Sequence, residues 1–186
     1  MEHRRDRERS GDGPGLWVLL CYRVPREPSA PRIAIWRKLK RLGVGQLGDG
    51  LVALPADART REQLEWAAED VTEAGGSAGV WLARPATLAQ ERELAAAMAA
   101  ARAAEYAAVA AEAGTAQAAG DAARAAALRR LRAELRRITR RDYFPPAARE
   151  QAHAAVEALA RPPGASLDAV RAGRDAAAAG DAGEHA

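Results

Sequence analysis

A chain of 186 residues with 28 Lys/Arg against 25 Asp/Glu, a formal charge of +3, has room for one compact domain and an appendage rather than two full domains. Its single cysteine, Cys21, excludes an intrachain disulfide and a thiolate zinc site, and three scattered histidines show no metal-ligand spacing. The charge is segregated: eleven Lys/Arg against five acids in residues 1–41, six against twelve in 42–127, nine against four in 128–161 and two against four in 162–186. Basic blocks flanking an acidic middle suit an anionic partner touched at two places, or protomers pairing unlike surfaces.

Residues 1–15 are charged and then rich in Gly and Pro, and are expected to form a disordered arm. Leu16–Tyr22 is continuously apolar and predicts a central strand, with Cys21 as a small buried hydrophobe. Arg23 interrupts that run and no small-residue cleavage site follows, which argues against an export signal. Ser29 is the expected cap of a first helix, with Pro31 tolerated in its first turn and Gly43 as its stop. At helical spacing Ile35, Trp36, Leu39 and Leu42 share one face, while Arg37, Lys38, Lys40 and Arg41 cover the rest.

Val44–Leu47 and Leu51–Leu54 flank Asp49-Gly50, a dipeptide that suits a tight hairpin turn. Thr60 to Gln63 reads as a capping box opening a second helix, whose inward face is Leu64, Ala67, Ala68, Val71 and Ala74. Gly75-Gly76 ends it, and Ala78–Ala83 predicts a last strand. The expected class is α+β: a ferredoxin-like β-α-β-β-α-β unit over 16–85, with both helices on one side of a four-stranded sheet.

An all-α extension of two long helices and a shorter third is expected over 86–161. The first opens at the Thr87–Gln90 capping box and runs to about Glu112 before Gly114; the second opens at Asp121. Leu128, Leu131, Leu135 and Ile138 form a packing seam, Tyr143-Phe144-Pro145-Pro146 terminates the helix as a packing plug, and a third helix covers 147–160. The Ala/Gly/Pro-rich tail over 162–186 is expected to be mobile. No run of roughly eighteen consecutive apolar residues occurs, so neither a spanning helix nor a membrane partner is expected.

The candidate DNA- or anion-binding residues are Arg37, Lys38, Lys40 and Arg41 on the first helix, with Arg129, Arg136, Arg137, Arg140 and Arg141 in the arginine-rich one. Like charges four apart, as at Arg136/Arg140 and Arg137/Arg141, destabilise a bare helix, so acids or phosphates must compensate. The acids considered are Glu65, Glu69, Asp70, Glu91 and Glu93. Arg32 falls inside the apolar arc and reads as a structural ion pair or an anion contact. Trp66, on the outer side of the second helix, is either covered by alanine-rich helices or offered to a partner. Neither a metal nor a cofactor is expected.

With those residues in place, the chain resembles the N-terminal domain of the bacterial chromate-resistance regulators, the ChrB family, over about residues 16–160. The matching features are Trp17-Val-Leu-Leu with Tyr22-Arg-Val-Pro, the run from Ser29 to Gly43, Gly50-Leu-Val-Ala-Leu-Pro55, Glu105-Tyr106, and Leu131–Arg141 followed by Asp142-Tyr143-Phe144. The resemblance implies a cytoplasmic regulator of chromate-resistance genes that binds promoter DNA and responds to chromate; a homodimer is expected, and a separate protein carrying a chromate-sensing C-terminal domain is a further candidate partner. The alternative it leaves open is a dimerisation or docking module without DNA contact. An enzyme is not expected: the fold also resembles the ferredoxin-like module of the CRISPR adaptation nuclease, in which a metal-binding aspartate follows the strand-one tyrosine, and Arg23 stands at that place in this chain.

Overall fold

The computed structural model describes residues 15–161, so the expected tail and all but the last residue of the expected arm lie outside the described residues. Four strands and five helices follow one another as β1 (Trp17–Arg23), α1 (Ser29–Leu42), β2 (Gly45–Gly48), β3 (Leu51–Pro55), α2 (Ala58–Glu73), β4 (Ser77–Ala83), α3 (Leu88–Ala116), α4 (Asp121–Thr139) and α5 (Ala148–Ala158). Among the described residues the chain divides into two compact units, residues 15–105 with 137–147, and residues 106–136 with 148–161.

The first unit is built on an antiparallel sheet in the order β2-β3-β1-β4. Strand alternation sets its core: Val18 and Leu20 stand opposite Leu54 and Val52 on β3, and opposite Leu82 and Val80 on β4. Ile35 and Leu39 of α1 and Leu64, Ala67 and Val71 of α2 are buried with Val18, Leu20, Val52 and Leu54, whereas Leu82 is exposed. The alternate face carries Trp17, Leu19 and Cys21. Leu94 and Met98 of α3 lie where a side chain on Gly45 would project, and Phe144 stacks on Trp17 with 5.9 Å between ring centroids. Phe144 is thus the packing plug that the sequence suggested. Cys21 is exposed, contrary to its expected burial.

Two helix starts differ from the expected ones, by one residue at α1 and by three at α2. Pro28 is the N-cap position of α1 and supplies no side-chain cap, so Ser29 is already helical. The capping box of α2 is Asp57–Thr60 rather than Thr60–Gln63. Asp57 Oδ1 accepts from Thr60 N at 2.7 Å while Asp57 N donates to Thr60 Oγ1 at 2.9 Å. Thr60 Oγ1 also donates to the Pro55 carbonyl at 2.7 Å, which explains how a threonine can be wholly buried. In the hairpin only Gly50 takes positive φ (71°), and a register shift lies between Gln46 and Gly48. Helix α3 continues through Gly114 to Ala116, since one glycine costs an alanine helix only about 1 kcal/mol.

By length and composition alone α3 is long and apolar enough to cross a membrane, with a mean hydropathy of 1.2 over 18 residues, where the sequence reading expected no such helix. That apolarity is alanine's. Arg102 stands midway along the helix, and a central arginine costs a spanning helix about 2.5–3.5 kcal/mol.

In the second unit Tyr106, Val109, Ala113, Leu131, Leu135, Ala152, Val156 and Leu159 are buried. Two arginines of α4 pair with acids of this unit: Arg130 with Glu112, and Arg132 with Glu157 at 2.9 Å. These are not the acids the sequence suggested. Glu91, one of those, instead accepts from Gly15 N at 2.9 Å and from Trp17 Nε1 at 3.1 Å.

Candidate functional site

Helix α1 presents the candidate surface of the first unit. Leu39 and Ile35 anchor its inner side, and Gly43 ends it in the left-handed region (φ 76°), donating its N–H to the Lys40 carbonyl at 3.1 Å. Arg37, Lys40 and Arg41 are exposed, and Lys40 Nζ stands 4.8 Å from the centroid of the Trp36 ring. Arg37 and Arg41 have no counter-ion among the described residues.

Lys38 belongs elsewhere. Its ammonium meets Asp70 Oδ2 at 2.5 Å and the Trp66 carbonyl at 3.3 Å, so it ties α1 to α2 instead of offering its charge outward. Trp66 itself is 51% exposed, uncovered by any alanine-rich helix of its unit.

Arg141 requires the same correction. Its Nη1 donates to Glu105 Oε1 at 3.1 Å, its Nη2 lies 3.0 Å from Glu105 Oε2, and Arg102 Nη2 donates to Glu105 Oε1 at 3.0 Å. Arg141 Nη1 also reaches the Lys40 carbonyl at 3.5 Å, and Tyr143 Oη donates to the Leu42 carbonyl at 3.2 Å. Carbonyls at the end of α1 are thus bound by side chains from residues 141 and 143, the Lys40 carbonyl in addition to its bond from Gly43 N. Sequence reasoning missed Arg102 and Glu105 as partners; an arginine amid alanines midway along a helix was the available signal. Of the remaining arginines, Arg140 is exposed, its carbonyl accepting from Arg59 Nη1 at 3.3 Å, and Arg137 is also exposed. In the second unit Arg129 and Arg136 are exposed, and seven residues apart they share a helix face.

Burial holds the Tyr143 phenol above its ordinary pKa, with Asp57 adding to the rise while Arg59 and Arg102 oppose it. Tyr22 is also raised, first by burial and then by Asp49. Because the unfolded phenol ionises first, this stabilisation is present below about pH 10 and is lost as pH rises through the folded-state value. Urea unfolding of the wild type is therefore expected to show falling stability above pH 10, with a smaller fall in Tyr143→Phe.

At the other end of α1 lies an open groove of about 510 Å3. It is lined by Tyr22, Arg23 and Val24 from the end of β1, Arg32, Ile33 and Trp36 from α1, and Gln46, Asp49 and Gly50 from the hairpin. Tyr22 N donates to the Gly50 carbonyl at 2.7 Å, which fixes the hairpin tip against β1. Arg32 is exposed at the groove and forms no ion pair among the described residues, so its reading as a structural ion pair is set aside. It lies in the first turn, where the apolar arc is not yet covered by a neighbour. Among the described residues no three His, Cys, Asp or Glu side chains are placed to hold a metal ion.

Residues 32–123 match the family model described as protein ChrB, N-terminal. No curated protein and no solved structure matches the chain.

Proposed function

Residues 32–123 belong to the ChrB N-terminal family, and from that premise we propose that this chromate-resistance-related protein is a cytoplasmic, non-enzymatic regulator that binds DNA phosphates through α1. The carrying observation is the division of charge on that helix. Among the described residues Lys38 is bound to Asp70, whereas Arg37 and Arg41 have no acidic partner and Lys40 rests on an aromatic face. An internal structural role would have used them as it used Lys38. The element order and the sheet order β2-β3-β1-β4 support a ferredoxin-like arrangement that would carry α1 and α2 on one side of the sheet. Arg129, Arg136, Arg137 and Arg140 supply further phosphate contacts in this reading, and a homodimer would double them on a two-fold-symmetric site.

Five phosphate contacts predict that log affinity for promoter DNA falls against log salt with a slope of about −4 to −5. Arg37→Ala and Arg41→Ala should each make the slope shallower by about 0.9, and Lys38→Ala should leave it unchanged. Fluorescence anisotropy across a salt series reads all three. A slope near zero in the wild type would sink the proposal.

A docking module without DNA contact is the second reading. It is favoured by the apolar side chains that the first unit leaves open, Trp81 at 65% exposure, Leu82 at 53% and Leu47 at 48%. A salt-independent protein that light scattering shows to be a dimer would move the assignment there.

A further inference from the structure

The groove beside α1 contains charges that have not neutralised one another. Arg23, Arg32 and Asp49 all line it, yet none of them forms an ion pair among the described residues. The groove therefore offers both guanidinium and carboxylate charge to a ligand. The same groove is lined by the Trp36 indole and by Ile33, the latter 45% exposed, and the Gln46 amide adds a donor and an acceptor. A complementary ligand has an anionic group, a planar apolar body and a hydrogen-bond-donating edge. A nucleotide has all three. Its phosphate suits guanidinium forks, its base suits an indole or aliphatic surface, and an amino edge suits a carboxylate. The groove's volume, about 510 Å3, is within the usual range of roughly 300–1,000 Å3 for small-ligand sites.

We propose that this groove is a nucleotide subsite, with Arg23 and Arg32 on the phosphate, Trp36 and Ile33 against the base, and Asp49 with Gln46 on the base's donor edge. The inference takes its ligand class from the nucleic-acid reading, but uses none of the residues assigned there to duplex phosphates. Free mononucleotides and unpaired nucleotides within a strand share the required chemistry.

Isothermal titration calorimetry on the full chain tests it, with GMP, IMP, guanosine, inorganic phosphate, tryptophan and a 5′-phosphorylated single-stranded hexanucleotide as probes. GMP is expected to bind at least tenfold more tightly than guanosine or phosphate alone. Arg23→Ala and Arg32→Ala are each expected to weaken GMP about tenfold, the effect of a hydrogen bond to a charged group, while Arg61→Ala, whose guanidinium pairs with Glu65 on α2, should not. Asp49→Asn should erase the preference for GMP over IMP, which lacks the exocyclic amine. A hexanucleotide that binds much more tightly than GMP identifies the source as an unpaired nucleotide in a strand; equal affinities identify the free nucleotide. Phosphate or tryptophan binding as well as GMP, or GMP affinity unmoved by both arginine variants, would overturn the subsite. Duplex binding with the salt slope above, but no GMP binding, would remove the subsite and leave the proposed function standing.

Discussion

Glu105→Ala is expected to lower the stability of the protein by about 2–4 kcal/mol, more than any exposed charge substitution. Glu105 is the shared counter-ion of Arg102 and Arg141, whose side chains are 9% and 16% exposed. Without the carboxylate these guanidiniums face each other in a poorly hydrated place, and the loss comes from the uncompensated charge. Glu105 is itself 32% exposed, so water enters, and the expected loss falls below the ~3–5 kcal/mol typical of a fully buried pair. Glu105→Gln keeps the shape and one acceptor and should lose less. Replacing Arg102, Glu105 and Arg141 together by Met, Leu and Met should recover much of the loss, because removing every charge removes the desolvation cost as well. Urea unfolding with unchanged m-values reads this series. A loss under about 1 kcal/mol for Glu105→Ala would show that the cluster behaves as a surface salt bridge.

That cluster also marks where sequence reading ended. Periodicity identified Ile35 and Leu39 as the inner face of α1, and the positive-φ turn at Gly43 was legible because helix stops depend on a single residue. The apolar run of β1 and the Asp49-Gly50 hairpin were legible for the same reason: each follows from neighbours in sequence. The fates of Lys38 and Arg141 depend on acids 32 and 36 residues away. A helical wheel shows which way a cation points, but not which element stands there. It also treats a helix as endless, which misplaced Arg32, a first-turn residue whose arc is open to the groove. Asp57 was missed as a cap because a capping box was sought with Glu or Gln at its third position, and here threonine closes it.

Gly43→Ala is the second large effect expected, with a loss of about 2–4 kcal/mol from adding one methyl group, the sum of left-handed strain and overpacking. At φ 76° an L-residue suffers a backbone clash that glycine escapes, worth roughly 1–2 kcal/mol. The new Cβ would also lie 2.8 Å from Arg141 Cβ, 2.8 Å from the Arg141 carbonyl oxygen and 2.8 Å from Arg102 Nη1. Only the last contact is the far end of a flexible side chain. Arg102→Ala in the Gly43→Ala background should therefore relieve little of the clash, since every residue at position 141 except glycine keeps its Cβ and all keep the carbonyl. The strain has one direction in which to relax, separation of the end of α1 from residues 141–143. That movement would break the bonds from Arg141 to the Lys40 carbonyl and from Tyr143 to the Leu42 carbonyl. It would also shift Lys40 and Arg41, two of the three outward cations. Gly43→Ala should thus weaken DNA binding at a temperature where the protein is still folded, while Leu64→Ala, which cavitates the core under α2, should lower stability comparably and leave the affinity of the folded protein unchanged. Equal affinities for the two variants would mean that the position of α1's C-terminal end does not matter to the DNA contact.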